Sequence, residues 1–120
     1  MTSDVRVAFD RAYDATKPIE QFPGVTRRTL VSGERLTLVE IRIEAGHEVP
    51  RHTHPHEQAG HVAAGRVLFR FGDGDTAREC ELGVGASYLI PGDEPHYVRA
   101  LEPATLIQVF APVREEFAND

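Results

Sequence analysis

The stretch from Gly46 to Gly65 reads Gly-His-Glu-Val-Pro-Arg-His52-Thr-His54-Pro-His56-Glu-Gln58-Ala-Gly-His-Val-Ala-Ala-Gly. His52 and His54 lie two residues apart, and on an extended chain residues i and i+2 point to the same side. Gln58 keeps that parity and opens the next run, so all three side chains converge if the chain bends at Pro55. Glu57 has the better ligand chemistry but the opposite parity, which excludes it. Five of the six histidines fall between His47 and His61; the sixth, His96, has to come from a distant strand. Imidazole nitrogen suits zinc, iron, nickel, copper or manganese. His56 is expected beside this cluster without coordinating, at most as a proton shuttle. His61 has the wrong parity and is expected to face outward or an interface, and His47 is expected in solvent.

Around this stretch the chain breaks into short segments punctuated by glycine and proline. Val25–Val31 and Leu36–Glu44 come first, and in the second Val39, Ile41 and Ile43 alternate with Glu40 and Arg42, the period of a half-buried strand. Gln58–Ala64 and Arg66–Phe71 read as two strands split by Gly65. Gly72-Asp73-Gly74-Asp75 is a hairpin signal. Further strand-like runs are Thr76–Leu82, Ala86–Ile90, His96–Leu101 and Thr105–Phe110. Only Pro112–Ala118 reads as helix, with proline near its first turn. Residues 1–23 are mixed and polar, an arm with room for one short strand; residues 24–120 form a single domain without an internal repeat. Short strands at this spacing predict an all-β sandwich or barrel.

Composition narrows the function classes. The 120 residues are 41% hydrophobic, enough for one modest core, and the net charge is −6 with no basic run. That argues against nucleic acid and anionic membranes as partners. No apolar run approaches a membrane span, and Met1–Asp10 lacks the apolar core of a secretory signal. The one cysteine, Cys80, cannot form an internal disulfide, so a cytoplasmic location is expected.

The spacing makes a resemblance specific. Gly46, five residues, His52-x-His54, three residues, Gln58, six residues, Gly65 resembles the first motif of the cupin superfamily. Gly85, five residues, Pro91, then His96 resembles the second. The likeness runs from about Gly24 to Phe117. It implies a double-stranded β-helix, the jelly-roll cupin barrel, with a short C-terminal helix. It also implies that His52, His54, Gln58 and His96 bind one divalent transition metal: manganese, zinc, nickel or iron. Two positions depart from the family: Asp93 stands where glycine is usual, and Ala100 where asparagine is usual. Glutamate is also commoner than glutamine at position 58.

Three imidazoles and an amide are neutral, so such a site keeps the full +2 charge. This favours Lewis-acid chemistry, a lyase or isomerase acting on a small hydroxy or oxo acid, sugar acid or polyketide-like substrate. A metal-dependent dioxygenase or monooxygenase and a non-catalytic binding barrel remain as alternatives. The chain is similar to sugar-acid-pathway cupins that open unsaturated uronates, through His52–Gln58 and the tail Gln108–Phe117. That group usually has aspartate where Gln108 stands, with Phe110 kept. It also resembles manganese hydroxynitrile-lyase cupins, and cupins of polyketide pathways at the level of the motifs. Gln108, Tyr88 and His56 are candidate catalytic residues. Phe110, Gln108, Arg28 and Arg99 are candidate substrate-binding residues. Leu106, Gln108 and Phe110 share one face of the tail strand, while Ile107 and Val109 share the other. Two-sided apolar strands of this kind need a second cover, so a homodimer is expected.

Overall fold

Alternation sets the strands. In Thr37–Ile43 (β3) Val39, Ile41 and Ile43 are buried and Arg42 is exposed, as the period of two requires. Glu40 is buried as well, because Tyr13 Oη donates to its carboxylate at 2.7 Å. The computed structural model describes residues 7–120; part of the expected arm, residues 1–6, lies outside it. The other strands are β1 (Ile19–Phe22), β2 (Val25–Ser32), β4 (Glu48–His52), β5 (Glu57–Phe71), β6 (Arg78–Gly83), β7 (Ser87–Ile90) and β8 (His96–Ala111), followed by a short helix α1 (Glu115–Ala118).

β5 and β8 run antiparallel along nearly their whole length, from Glu57↔Ala111 to Phe71↔His96. The first half of β5 carries β7 on its free side, and the matching half of β8 carries β3, β2 and β1. The second half of β5 carries β6, and the matching half of β8 carries β4. One connected sheet thus reads as two half-sheets sharing two strands. Val39, Ile41 and Leu106 from one half join Val67, Phe69 and Val98 from the other in a single core cluster. This is an all-β jelly roll.

Gly65 does not divide two strands, and residues 102–104 do not divide β8. Both strands bend together through register shifts between Val62 and Val67. Gly65 has φ +79°, and a Cβ there would collide with the backbone at Pro103 and Ala104. Only glycine lets the two strands approach at the bend. The hairpin at Gly72 is longer than a two-residue turn, with a 3-10 turn at Gly74–Thr76 before β6. The helix is shorter than Pro112–Ala118, because Arg114 is still extended. Asp93 takes φ +67°, the backbone conformation a glycine would supply, so the turn before His96 survives the substitution.

Candidate metal centre

β4 ends at His52 and β8 begins at His96, and the two are paired across the ladder. Their rings lie 4.2 Å apart, centroid to centroid. His54 follows in the connection to β5; its carbonyl accepts a hydrogen bond from the Asp93 backbone N–H at 2.8 Å, which ties that connection to the turn before β8. One nitrogen from each of His52, His54 and His96 falls within 4.8 Å of the others. Gln58, the second residue of β5, brings its amide to the same place: Oε1 lies 3.0 Å from His54 Nε2.

Backbone carbonyls fix the tautomers. His52 Nδ1 donates to Pro50 O at 2.8 Å, His96 Nδ1 to Glu94 O at 2.8 Å, and His54 Nδ1 to His56 O at 3.1 Å. Each Nδ1 therefore carries the proton and each Nε2 presents a lone pair. His96 Nε2 is buried and has no hydrogen-bond partner among the described residues. Lone pairs converging in a buried space without a donor need a cation. The residues fit a divalent metal: neutral imidazoles and an amide oxygen, held by outer hydrogen bonds.

Burial also keeps the imidazoles neutral. It lowers His96 from 6.5 to about 4, against the opposing pull of the Glu94 carbonyl. His52 and His54 are lowered for the same reason, with the Arg114 charge adding to both. An imidazole that resists protonation is a better ligand in mildly acidic water.

Beside the histidines lies a cavity of about 40 Å³, walled by Gln58, Gln108, Phe110, Arg114 and Phe117 among others, with no carboxylate in its lining among the described residues. The Arg114 guanidinium stacks over Phe110 at 4.8 Å and Phe117 at 4.3 Å. Phe117 in turn lies under Arg27, 3.9 Å from the guanidinium carbon, and Arg27 pairs with Asp120 at 2.7 Å. The segment after β8 is thereby latched over the barrel mouth.

The sequence candidates fall into three groups. His52, His54, Gln58 and His96 come together. Gln108 and Phe110 line the cavity; Tyr88 is buried behind it, its hydroxyl donating to Gln108 Oε1 at 2.8 Å. His56 stands at the edge, its ring 5.5 Å from His54 and 6.2 Å from Phe110, with Nδ1 buried and unpartnered. Arg28 and Arg99 do not reach the site. Arg28 turns outward to Thr16 and the Tyr13 ring, because Val25, Arg27 and Thr29 occupy the inner face of β2. Arg99 is exposed, because His96, Val98 and Ala100 take the inner face of β8. His61 is exposed and reaches Ser87 at 2.8 Å, while His47 is half-buried and bonds to Pro23 O at 2.9 Å. The residues missed by sequence reasoning are Arg27, Arg114 and Phe117. Arg114 and Phe117 lie beyond the end of β8, where strand parity no longer applies, so no periodic signal in the sequence marked them.

Residues 39–110 match the family model described as a cupin domain. No sequence among curated proteins matches significantly. Among solved structures, KdgF from a Halomonas species superposes with a TM-score of 0.81 at 24% identity, over 90% of this chain and 98% of that one. An RmlC-like cupin from Shewanella frigidimarina gives 0.83 at 24% identity, over 92% and 96%. The Bacillus subtilis oxalate decarboxylase, studied for its Mn(II) centers, gives 0.76 at 20% identity, over 88% of this chain and 30% of that one. At such identities the likeness speaks for the fold. The matched segment spans more than half of the chain and contains all four converging residues, and the chain belongs to the cupin domain family.

Proposed function

We propose that this cupin is a divalent-metal-dependent enzyme that acts as a Lewis-acid lyase or isomerase on a small carboxylate-bearing substrate. The observation that carries the reading is the charge of the site. His52, His54, Gln58 and His96 would hold the metal without neutralising it, and Arg114, although its Nε donates to Glu116 at 3.0 Å, brings a guanidinium to a lining that has no acidic side chain among the described residues. An anion is the ligand that such a cavity stabilises. A bound ion supplies Lewis acidity to a coordinated carbonyl or carboxylate. Arg114 orients the charged end of the substrate, and Phe110 and Phe117 keep bulk water out. His56, with a buried unpartnered Nδ1, is the residue available to hold a proton near the site. Oxalate decarboxylase, a manganese protein of the same fold, acts on a small dicarboxylate, which supports this substrate class by analogy. One divalent transition ion per chain, from among manganese, zinc, nickel and iron, and a cytoplasmic setting complete the reading.

A second reading is a binding barrel without turnover. One observation favours it: among the described residues the cavity wall itself offers no proton-transfer group beyond the ligands, His56 standing outside that wall and Tyr88 being engaged by Gln108. The test is to load the protein with each of the four metals and screen small hydroxy and oxo acids under nitrogen and under air. Turnover without oxygen supports the lyase or isomerase. Turnover only with oxygen uptake moves the assignment to an oxygenase. Saturable binding of acids without product supports the second reading.

A further inference from the structure

Behind the metal centre the ligand Gln58 is continued by two buried polar side chains that the ligand set does not use, Gln108 and Tyr88. Tyr88 Oη donates to Gln108 Oε1 at 2.8 Å, and Gln58 Nε2 donates to the same oxygen. Gln58 Oε1 is left facing His54 Nε2 at 3.0 Å. Gly60 makes the arrangement possible. It pairs with Tyr88 on one side and Gln108 on the other, and a Cβ at Gly60 would collide with the Tyr88 ring.

An amide has two ends of opposite character: the oxygen accepts and the nitrogen donates. Only the oxygen can coordinate a cation here. The hydrogen-bond chain therefore has two self-consistent arrangements. In the one described, Gln58 offers its oxygen to the histidine cluster, and two lone pairs confront each other across 3.0 Å because His54 carries its proton on Nδ1. That contact is favourable with a cation between them and unfavourable without one. In the other arrangement both amides rotate by half a turn. Gln58 Nε2 then donates to His54 Nε2, and Gln58 Oε1 accepts from Gln108 Nε2. No lone pair opposes another, and no coordinating oxygen faces the cluster.

What separates the two is the Tyr88 hydroxyl. It is buried, and its hydrogen goes to Gln108 Oε1. Rotating Gln108 takes that acceptor away and leaves a buried donor unsatisfied, which is costly. We propose that Tyr88 and Gln108 are positioning residues that hold the Gln58 amide with its oxygen toward the metal, so that the amide orientation and metal occupancy are coupled. The inference rests on reading the site as a metal centre and goes beyond it. It gives a role to Gln108 through another protein side chain, in place of the substrate contact expected from the sequence.

The test is a set of dissociation constants for Zn(II), measured by chelator competition on purified protein, for wild type, Tyr88→Phe and Gln108→Leu. The same two substitutions are then made in a Gln58→Glu background. A carboxylate presents an oxygen whichever way it turns, so position 58 then needs no orientation. The expected result is about a tenfold weakening for Gln108→Leu with Gln58 in place. Tyr88→Phe should give a smaller loss, and both losses should vanish with Glu at position 58. Tyr88→Phe keeps the ring and guards against a folding failure in Gln108→Leu. Equal losses in both backgrounds would mean a packing effect and overturn the inference, as would unchanged affinity in the Gln58 background. If wild-type protein binds no Zn(II) at all, the metal reading falls and the inference falls with it.

Discussion

His52 and His96 are direct cross-strand partners, one at the end of β4 and the other at the start of β8, with rings 4.2 Å apart. Each holds its Nδ1–H on the carbonyl two residues before it, Pro50 and Glu94. The pair is thus a repeated unit, strand terminus plus back-bonded imidazole, meeting itself across an antiparallel ladder.

Metal analysis is expected to give one divalent ion per chain, and His52→Ala or His96→Ala should remove it. Binding only to the folded state should also raise the melting temperature with metal concentration. Elemental analysis beside thermal melts checks both; a substoichiometric wild type that added metal cannot restore would contradict the expectation.

Metal-free protein is expected to lose stability in mild acid. The three imidazoles have their ordinary affinity for protons, near 6.5, in the unfolded chain, while burial depresses them in the fold, His96 to about 4. Between those values the unfolded chain binds more protons, so stability rises with pH through this window and is lost as pH falls through it. Melting curves of chelator-treated protein from pH 7.5 to 4.5 should show this slope. His96→Asn should flatten it, and an unchanged slope would show that His96 is not the group concerned.

Phe117 is buried between the guanidinium groups of Arg27 and Arg114 and against Phe110. Phe117→Ala should destabilise the protein by about 3 kcal/mol through the void it leaves. It should also open the cavity mouth and speed ligand exchange. Denaturant melts and stopped-flow metal removal by a chelator measure the two effects separately.

Unsaturated uronates are not expected to be substrates. Gln108 stands where the related group carries an aspartate, it faces the cavity, and an amide does not take up a proton near neutral pH. Incubating metal-loaded protein with an unsaturated uronate and following the loss of its absorbance tests this; robust turnover would refute it.

We propose a homodimer formed through the outer face of the first half-sheet. Val31, Leu38, Val109, Ala59 and Leu89 stand in one cross-strand row on that face, and Leu89 is 61% exposed. Apolar side chains aligned in one row across five strands, the last of them largely exposed, offer a face that a second copy of the chain can cover. Light scattering should give about twice 13.3 kDa, and Leu89→Asp should return the monomer. A wild-type mass of one chain would contradict it.

Much of this was legible in the sequence because strand parity is rigid. The pair His52 and His54, and the shared face of Leu106, Gln108 and Phe110, follow from a period of two. Parity also contained what was misread. Once His96 is inward, Arg99 is outward, and once Val25 and Thr29 are inward, Arg27 is the buried arginine of β2 and Arg28 the outer one. Parity does not hold along the whole of β2, because a register shift between Thr29 and Val31 brings Val31 opposite Leu38. Gly65 looked like a strand break because a single sequence does not say whether a glycine ends a ladder or lets two long strands bend past each other. The latch of Arg27, Phe117 and Asp120 joins residues 90 and 93 positions apart, and no local pattern encodes such a contact.

The shared strands β5 and β8 constrain which length changes the chain can tolerate. Gln58 and Phe71 sit at opposite ends of one strand, paired with Phe110 and His96 at opposite ends of the other. A one-residue insertion between them would reverse the parity of everything downstream, turning an inward ligand or wall residue out of the barrel. Length variation is therefore expected in the connection Gly72–Ala77 and at the chain ends, while β5 and β8 change by substitution alone. A deletion scan would find each straight half of the two strands intolerant of a change in length, with the bend between Val62 and Val67 as the place where the register is already broken.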